Sequence, residues 1–494
     1  MKPHPHVNDL DTLEKYLTSE EKESSSDKDE KKKSRSVIGA VLGCFKYLYS
    51  MTFLIFSVFI VMMSIFTKQT GAAAVYNIPP VATFFIFWCL ILWLAMMEGG
   101  QGCLVGLQPV KKDKYIQSHP ITHKNTTLVH KGDNMARFII GRQFLVVLVI
   151  FLINTCGAAI EEAEVLGLPS AVTFTFLANG VAMMATTIII GQLTPQVNAV
   201  VCMLDFINNY FMTFTSYVSL FIEFSGILHS VYLVQIGFSK ITAQPIKSNE
   251  PPRNAAQNLF FWGRVLLSLA ILGFALAVTL QALFDGDTAM WDGVPPSVSV
   301  IVFFLLLVVV GLMEGMQIAA FALQKMPKEE LKQSPVAYVN CTLMFAGQNL
   351  QAFLIGRQIF VAICIFIVAR ISTLTIEVGK NNVFGVSNGL QAFFNTGLLG
   401  AVVLTIIGSL AWRIIASSFP LAFMSNPVIY IIIRFCLLLE ATGICSASWV
   451  LARYHKRIVG YQPDEVYLKG AEKHTSASVT RCEKNVDRVV TVIR

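Results

Sequence analysis

The stretch Glu98-Gly99-Gly100-Gln101 decides how this sequence folds, because it recurs as Glu314-Gly315-Met316-Gln317. Each copy closes a long apolar run, where a carboxylate is rare because ionised side chains are costly at membrane depth. A Gly-Arg-Gln triplet then opens another apolar run, at Gly141-Arg142-Gln143 and at Gly356-Arg357-Gln358. The glutamate and the arginine are 44 positions apart in the first copy and 43 in the second. Acids, bases and carboxamides in one repeated order indicate a polar site in a duplicated membrane protein.

The composition supports a membrane protein. The chain has 494 residues, of which 54% are apolar and 14% are charged, and its mean hydropathy is +0.60. Soluble domains carry about 25% charged residues. No basic patch is interleaved with aromatic residues outside the tails, which argues against a nucleic-acid partner. The 10 cysteines form no CxxC or histidine-rich cluster, so neither a metal site nor a disulfide framework is expected.

Long apolar stretches predict an all-α, polytopic membrane protein with ten transmembrane helices. A helix needs about 20 apolar residues to cross a bilayer. The predicted spans lie near 38–66, 80–101, 137–159, 169–193, 211–238, 258–284, 296–318, 353–371, 383–408 and 421–452. The stretch 194–210 is too polar for a full span and is expected to form an interfacial helix or a half-helix. Residues 1–36 are polar and charged, which predicts a disordered cytoplasmic tail.

The ten helices form two five-helix repeats, because polar and glycine positions recur at an offset of 215 to 217 residues. The first repeat covers 37–238 and the second 258–452, with a linker at 239–257 and a basic cytoplasmic tail at 453–494. Since five is odd, the second repeat enters the membrane in the inverted orientation, a recurrent transporter architecture. Both termini are then cytoplasmic, which the lysine-rich loop 102–136 supports.

Two matched sequons depend on this orientation. They begin at Asn125 and Asn340, which are 215 residues apart. In the inverted topology Asn340 is external and available for N-linked glycosylation, whereas Asn125 is not.

The repeated motifs predict a binding site. On a continuous helix Glu98 and Gln101 are three residues apart and share a face. A carboxylate at membrane depth needs a partner, so we expect Glu98 to pair with Arg142 and Glu314 with Arg357, or crosswise. The alternative is a salt bridge that only orients helices. The predicted substrate-binding residues are Glu98, Gly99, Gln101, Arg142, Gln143, Glu314, Gly315, Gln317, Arg357 and Gln358. The glycines beside the acids allow close approach of a solute or a helix.

Further matched residues extend this prediction. The expected accessory polar lining consists of Gln108, Gln324, Asn179 and Asn395. A glutamate with a hydroxyl two residues later occurs at Glu223 and Ser225 and again at Glu440 and Thr442. Hard cations prefer oxygen ligands, so these four are candidate sodium ligands. The alternative is a helix-packing position with a protonated glutamate.

The duplicated EGxQ and GRQ motifs on ten spans resemble the silicon (silicic acid) transporters of diatoms and choanoflagellates. The resemblance covers roughly 38–452 and rests on the four motifs in one order. It implies Na⁺-coupled uptake of silicic acid through the plasma membrane, with these motifs at the substrate. The tail 453–494 departs from diatom members that carry a coiled coil, since it has no sustained heptad.

The residue chemistry agrees with this resemblance. Silicic acid is neutral at pH 7, and its four hydroxyls each donate and accept hydrogen bonds, which suits carboxylates and carboxamides. We therefore expect a secondary active transporter that works by alternating access, with both motif sets converging on one central cavity. Hydrolase and ATPase motifs are absent from the sequence, so we expect neither an enzyme nor a cofactor other than Na⁺ as the coupling ion. The oligomeric state is left open.

Other functions compete with this prediction. The same polar stripes suit a channel for small polar solutes, or a Na⁺-coupled transporter for another neutral hydroxylated solute such as boric acid or a polyol. A membrane-embedded enzyme is a more distant alternative, because a glutamate pair is capable of acid–base chemistry.

Overall fold

The computed structural model describes residues 43–468, apart from 75, 161, 162, 164, 244–247, 249, 292 and 381. The predicted tail 1–36 lies outside this part of the chain, as do residues 469–494. The main helices are α1 (Gly43–Phe66), α2 (Pro80–Gly106), α3 (Pro120–Val129), α4 (Asn134–Gly157), α5 (Ser170–Ala178), α6 (Val181–Val201), α7 (Tyr210–Phe224), α8 (Val231–Thr242), α9 (Ala255–Asp285), α10 (Pro296–Leu323), α11 (Pro335–Met344), α12 (Asn349–Ser372), α13 (Asn388–Asn395), α14 (Leu398–Ser418), α15 (Val428–Ala441) and α16 (Ala447–Val459).

The chain contains the same series of helices twice, α1–α8 and then α9–α16. Helices α3 and α11 have 10 residues each, and α4 and α12 have 24 each. Helices α2 and α10 both begin at the second residue of a proline pair, Pro79-Pro80 and Pro295-Pro296. Proline suits the first helical position because a backbone N–H there has no acceptor within the helix.

Seven of the described helices are long and apolar enough to cross a membrane: α1, α2, α4, α9, α10, α12 and α14. The pair α5 and α6 bends by 49° and adds an eighth crossing if it is one span. The protein is therefore a multi-pass, helical membrane protein. Ten transmembrane helices are not confirmed by length and composition.

The predicted spans 211–238 and 421–452 are not continuous helices, because the chain turns between α7 and α8 and between α15 and α16. A glycine with positive φ lies at each break, Gly226 at +84° and Gly443 at +87°. Glycine adopts this conformation at little cost because it lacks a Cβ. Hydropathy reports composition and does not detect a turn inside an apolar run. A single continuous helix in each stretch is therefore a wrong prediction.

Helices α6 and α14 continue past their predicted ends. The spans were expected to stop at 193 and 408, but the helices reach Val201 and Ser418. The stretch 194–210 is thus not a separate half-helix, because its first eight residues complete α6. Polar side chains in these last turns lower the mean hydropathy, although Gln196 and Arg413 form hydrogen bonds inside the protein.

The first helix of each repeat packs against the broken helices of the other repeat. In α1, Lys46 Nζ lies 2.7 Å from Glu440 Oε1 of α15, and the hydroxyl of Ser50 accepts from the backbone N–H of Ala447 at 2.8 Å. In α9, Arg264 donates to the carbonyl of Phe224 at 3.2 Å. The two repeats are therefore interlocked, and neither forms a separate layer.

The two sequon asparagines are both buried. Asn125 donates to the carbonyl of Ile207 at 2.8 Å, and Asn340 donates to the carbonyl of Met424, also at 2.8 Å. A glycan requires an accessible amide, so the expectation that Asn340 is available for glycosylation is wrong. The side-chain amides of Asn125 and Asn340 instead form hydrogen bonds that hold α3 and α11 against the segments that follow α6 and α14.

The loop between α3 and α4 carries a pH-sensitive contact. Burial lowers the pKa of His130 to about 4, and the neutral ring donates to the carbonyl of Leu104 at 2.8 Å. The unfolded chain binds this proton near pH 6.5, so it holds more protons than the folded chain between pH 6.5 and about 4. Folded-state stability is therefore expected to fall as the pH drops through this window.

The difference between the pKa values of His130 in the unfolded and folded chain corresponds to about 3 kcal/mol of folding free energy, at 1.36 kcal/mol for each pKa unit. Thermal unfolding in detergent between pH 4 and 7.5 measures it. His130→Gln keeps a donor for Leu104 without a titrating ring, and it should reduce the slope below pH 6.5. An unchanged slope in that variant would assign the acid sensitivity to other groups.

Candidate functional site

The two repeated motifs lie close together in space, where α2 packs against α10. A Cβ built at Gly102 of α2 would lie 2.6 Å from the ring of Phe321 of α10. Glycine on α2 thus lets the two motif-bearing helices approach closely. Glu98 and Glu314 lie near this crossing, and each belongs to a buried polar network.

In the first repeat, Glu98 forms the predicted ion pair with Arg142, whose Nη1 is 3.3 Å from Glu98 Oε1. Arg142 also donates to the carbonyl of Met97 at 3.2 Å and to Gln143 Oε1 at 2.9 Å. The second oxygen of Glu98 accepts from Gln196 of α6 at 2.9 Å. This carboxylate therefore has one charged and one neutral partner.

In the second repeat, Glu314 forms the equivalent pair with Arg357, at 3.2 Å. Arg357 donates to Gln358 Oε1 at 2.6 Å, as Arg142 does to Gln143. The second oxygen of Glu314 is paired with Arg413 of α14. Since Arg413 occupies the position equivalent to Gln196, this carboxylate has two charged partners.

Two hydrogen bonds join the networks across the repeat boundary. Arg413 donates to Gln101 Oε1 at 2.7 Å, which connects α14 to the first motif. Gln358 donates to Gln192 Oε1 at 2.8 Å, which connects α12 to α6. The polar residues of both repeats thus form one continuous cluster.

A cavity of about 310 Å³ borders this cluster. Its polar lining comes from both repeats. It includes Glu98, Gln143, Gln192, Glu314, Arg357, Gln358, Ser409 and Arg413, together with Asn154, Ser372, Thr373, Thr396 and Thr405. Its apolar wall uses matched positions of α4 and α12, among them Val146 with Val361 and Ile150 with Ile365. Both glutamates therefore face one cavity, and their convergence agrees with the expectation from the repeat. A small apolar cavity with a few convergent polar groups is suited to a small solute.

Two local π-helices contain polar residues of the cavity. Thr187–Leu193 in α6 and Leu404–Leu410 in α14 are π-helical at matched positions. A π-turn inserts one extra residue and changes the direction of neighbouring side chains, and it is frequent at functional sites. Gln192 and Ser409 lie in these segments and line the cavity.

The motif glycines accommodate helix packing rather than the cavity. A Cβ at Gly99 would overlap the ring of Phe206, and one at Gly315 would overlap Phe423. Both glycines were predicted to bind substrate, but neither lines the cavity. Because these glycines have no side chain, the rings of Phe206 and Phe423, which occupy matched positions, pack directly against α2 and α10.

The remaining predicted residues differ in where they lie. Gln101, Gln317 and Arg142 are buried behind the cavity wall. Gln108 is exposed, and Gln324 donates to the carbonyl of Val200 at 3.1 Å.

The matched asparagines, Asn179 and Asn395, do not line the cavity either. Asn395 donates to the carbonyl of Ile376 at 2.7 Å. Of the accessory polar residues expected from the sequence, the structure therefore brings none to the cavity.

The four candidate sodium ligands are not brought together. Glu223 accepts from Tyr232 at 3.1 Å, while the exposed Ser225 hydroxyl donates to its own helix. Glu440 is paired with Lys46, and the exposed Thr442 hydroxyl also donates to its own helix. Within the described part of the chain no group of three or more His, Cys, Asp or Glu is arranged to hold a metal ion.

Four residues of the cluster were not predicted from the sequence: Gln192, Gln196, Ser409 and Arg413. They continue the offset of 217 residues that relates Gly191 to Gly408. The signal was therefore present, but the matched residues differ in chemistry. A comparison that requires identical residues does not detect them.

An internal polar cavity between two series of membrane helices is the arrangement of a solute transporter. The family model described as "Silicon transporter" matches residues 38–492. The chain therefore belongs to the silicon transporter family, and membership implies transport of silicic acid. No curated protein and no solved structure matches the chain.

Proposed function

We propose that this protein is a Na⁺-coupled importer of silicic acid in the plasma membrane that works by alternating access. The observation that carries the proposal is that both repeats line one cavity. Its carboxylates accept hydrogen bonds, and its carboxamides and the Ser409 hydroxyl both donate and accept. A solute with four hydroxyl groups fits such a mixed set, whereas an apolar solute would leave these groups unpaired at about 1–3 kcal/mol each.

The proposed topology completes ten crossings with the two broken pairs, α7 with α8 and α15 with α16. Broken helices at membrane depth are tolerated where the irregular backbone is buried in protein. Five crossings in each repeat then give opposite orientations for α1–α8 and α9–α16, and both termini are cytoplasmic. Such inverted repeats are common in secondary transporters with a midplane site.

An asymmetry of the cavity supports alternating access. In the second repeat the cavity extends along α14, past Gly400, Ala401 and Leu404. The equivalent first-repeat positions, such as Met184, do not line it. If α6 and α14 exchanged environments in the opposite state, the cavity would extend from the same polar cluster along α6 instead. A cysteine at Ala401 should therefore react with a small thiol reagent in one state, and a cysteine at Met184 in the other.

Flux into liposomes tests the proposed function. The purified protein should accumulate silicic acid above its external concentration when Na⁺ is higher outside, and a K⁺ gradient of the same size should not replace it. A channel would equilibrate silicic acid without accumulation. Competition by boric acid stronger than by germanic acid would indicate a different hydroxylated solute.

Ser409→Ala should weaken uptake through substrate binding. The Ser409 hydroxyl is buried and has no hydrogen-bond partner in the protein, and it borders the cavity. Loss of one hydrogen bond costs about 0.5–1.5 kcal/mol, so KM should rise roughly twofold to thirteenfold. Gln108→Ala is the matched control, because Gln108 was predicted to lie on the same stripe but is exposed. Equal KM values for the two variants would remove Ser409 from the binding site.

A further inference from the structure

The polar cluster contains more positive than negative charge. Arg142, Arg357 and Arg413 are buried, and so are their only carboxylate partners, Glu98 and Glu314. Three guanidinium groups against two carboxylates leave a formal excess of one positive charge. Within the described residues no further ion pair reaches these five side chains.

Titration does not remove this excess. Arginine remains protonated in proteins, because its delocalised guanidinium group holds its proton throughout the physiological pH range. Protonation of either glutamate would only raise the excess. Buried charges without a partner are strongly unfavourable, so the cluster favours an anion in the adjoining cavity.

The excess arises at one position where the repeats differ. Gln196 donates a neutral amide to Glu98, whereas the matched Arg413 brings a cation to Glu314. Arg413 lines the cavity, and so does Ser409 one turn before it. The Nε of Arg413 and the Oγ of Ser409 are both buried without a hydrogen-bond partner. The Nε atoms of Arg142 and Arg357 are also without a partner, but only Arg413 combines its place at the cavity with the extra charge of the second repeat.

We propose that the cavity binds its solute as a monovalent oxyanion, with Arg413 as the counter-charge. This rests on the proposed function, and it means that silicic acid is held as its monoanion. One O–H bond of Si(OH)₄ breaks, the electron pair stays on that oxygen, and the proton passes to water on the loading side. Na⁺ then binds elsewhere, because a site beside Arg413 repels it.

The pH dependence of uptake tests the proposal between pH 7 and 8.5, above the range in which His130 titrates. Silicic acid is a weak acid and almost entirely neutral in this range, so each pH unit raises its monoanion fraction about tenfold. The apparent dissociation constant varies inversely with the fraction of the competent species. KM for total silicic acid should therefore fall about tenfold per pH unit, with close to one proton released per molecule bound.

Two variants assign the charge to Arg413. Arg413→Gln reproduces the first-repeat residue at this position, and it should flatten the pH dependence of KM. Arg413→Lys keeps the charge but not the planar fork, and it should retain the slope at a higher KM. A pH-independent KM in the unmodified protein, without proton release, would overturn the proposal because the solute would then bind in its neutral form.

A second probe separates this proposal from the proposed function. Inorganic phosphate at pH 6 is mostly a tetrahedral monoanion, and it should raise the thermal unfolding midpoint of the unmodified protein and of Arg413→Lys but not of Arg413→Gln. Absence of silicic acid uptake would refute the proposed function and leave this oxyanion test intact. Equal stabilisation of all three proteins by phosphate would overturn the oxyanion site. Equal stabilisation by chloride and phosphate would also overturn it, because the excess would then be met by any small anion.

Discussion

Gly356→Ala is expected to leave little folded protein. A Cβ at Gly356 would overlap the carbonyl oxygen of Cys436 and lie 2.6 Å from its carbonyl carbon. These are backbone atoms of α15, so no side-chain rotation relieves the overlap. Overpacking a core costs about 1–3 kcal/mol and occasionally more, and we expect the upper end or beyond because two helices must separate. Arg357, the next residue, would then be drawn away from Glu314.

The first repeat offers the same experiment. A Cβ at Gly141 would overlap the carbonyl oxygen of Ser219 on α7, so Gly141→Ala should behave like Gly356→Ala. Gly273 in α9 is the control, because a Cβ added there would have no neighbour within 4 Å. Alanine favours a helix over glycine by about 1 kcal/mol, so that variant should be as stable as the unmodified protein or more so. The yield of monodisperse protein and its unfolding midpoint decide the outcome. Comparable stability of Gly356→Ala and Gly273→Ala would show that α12 and α15 do not pack this closely.

The ion pairs of the site were predictable because burial restricts charge. A buried carboxylate requires a partner, and the sequence repeats one glutamate and one arginine in the same order. The rule predicts that each glutamate pairs with a repeated arginine, within its repeat or crosswise, and the structure shows the pairs within each repeat. The rule does not depend on helix boundaries, which explains why the pairs are present although several predicted spans were broken or too short.

The rest of the site was not predictable from hydropathy or from identical residues. Gln196 and Arg413 lie where the mean hydropathy had already fallen, so the predicted spans ended before them. Their orientation depends on π-turns, which no composition average detects. Likewise, the ring of Phe206 fills the space beside Gly99. Only the tertiary structure shows that this space holds an aromatic ring and not a solute.

Glu314→Gln is expected to be more damaging than Glu98→Gln. Removing one partner of a buried ion pair costs about 3–5 kcal/mol, because a buried charge is left uncompensated. Glu98→Gln leaves Arg142 without its carboxylate, while Gln196 adds no charge. Glu314→Gln leaves both Arg357 and Arg413 without one, so its unfolding midpoint should be lower and its silicic acid uptake absent.

A double-mutant cycle isolates the contribution of Arg413. Adding Arg413→Gln to Glu314→Gln removes one uncompensated cation and reproduces the residue of the first repeat, so it should recover part of the lost stability. Directly paired residues show coupling energies of about 0.5–3 kcal/mol. The matched cycle in the first repeat combines Glu98→Gln with Gln196→Ala. The coupling energy between these two residues should be smaller, because Gln196 is neutral. Additive effects of Glu314→Gln and Arg413→Gln would contradict the ion pair between them, and with it the assignment of the excess positive charge to Arg413.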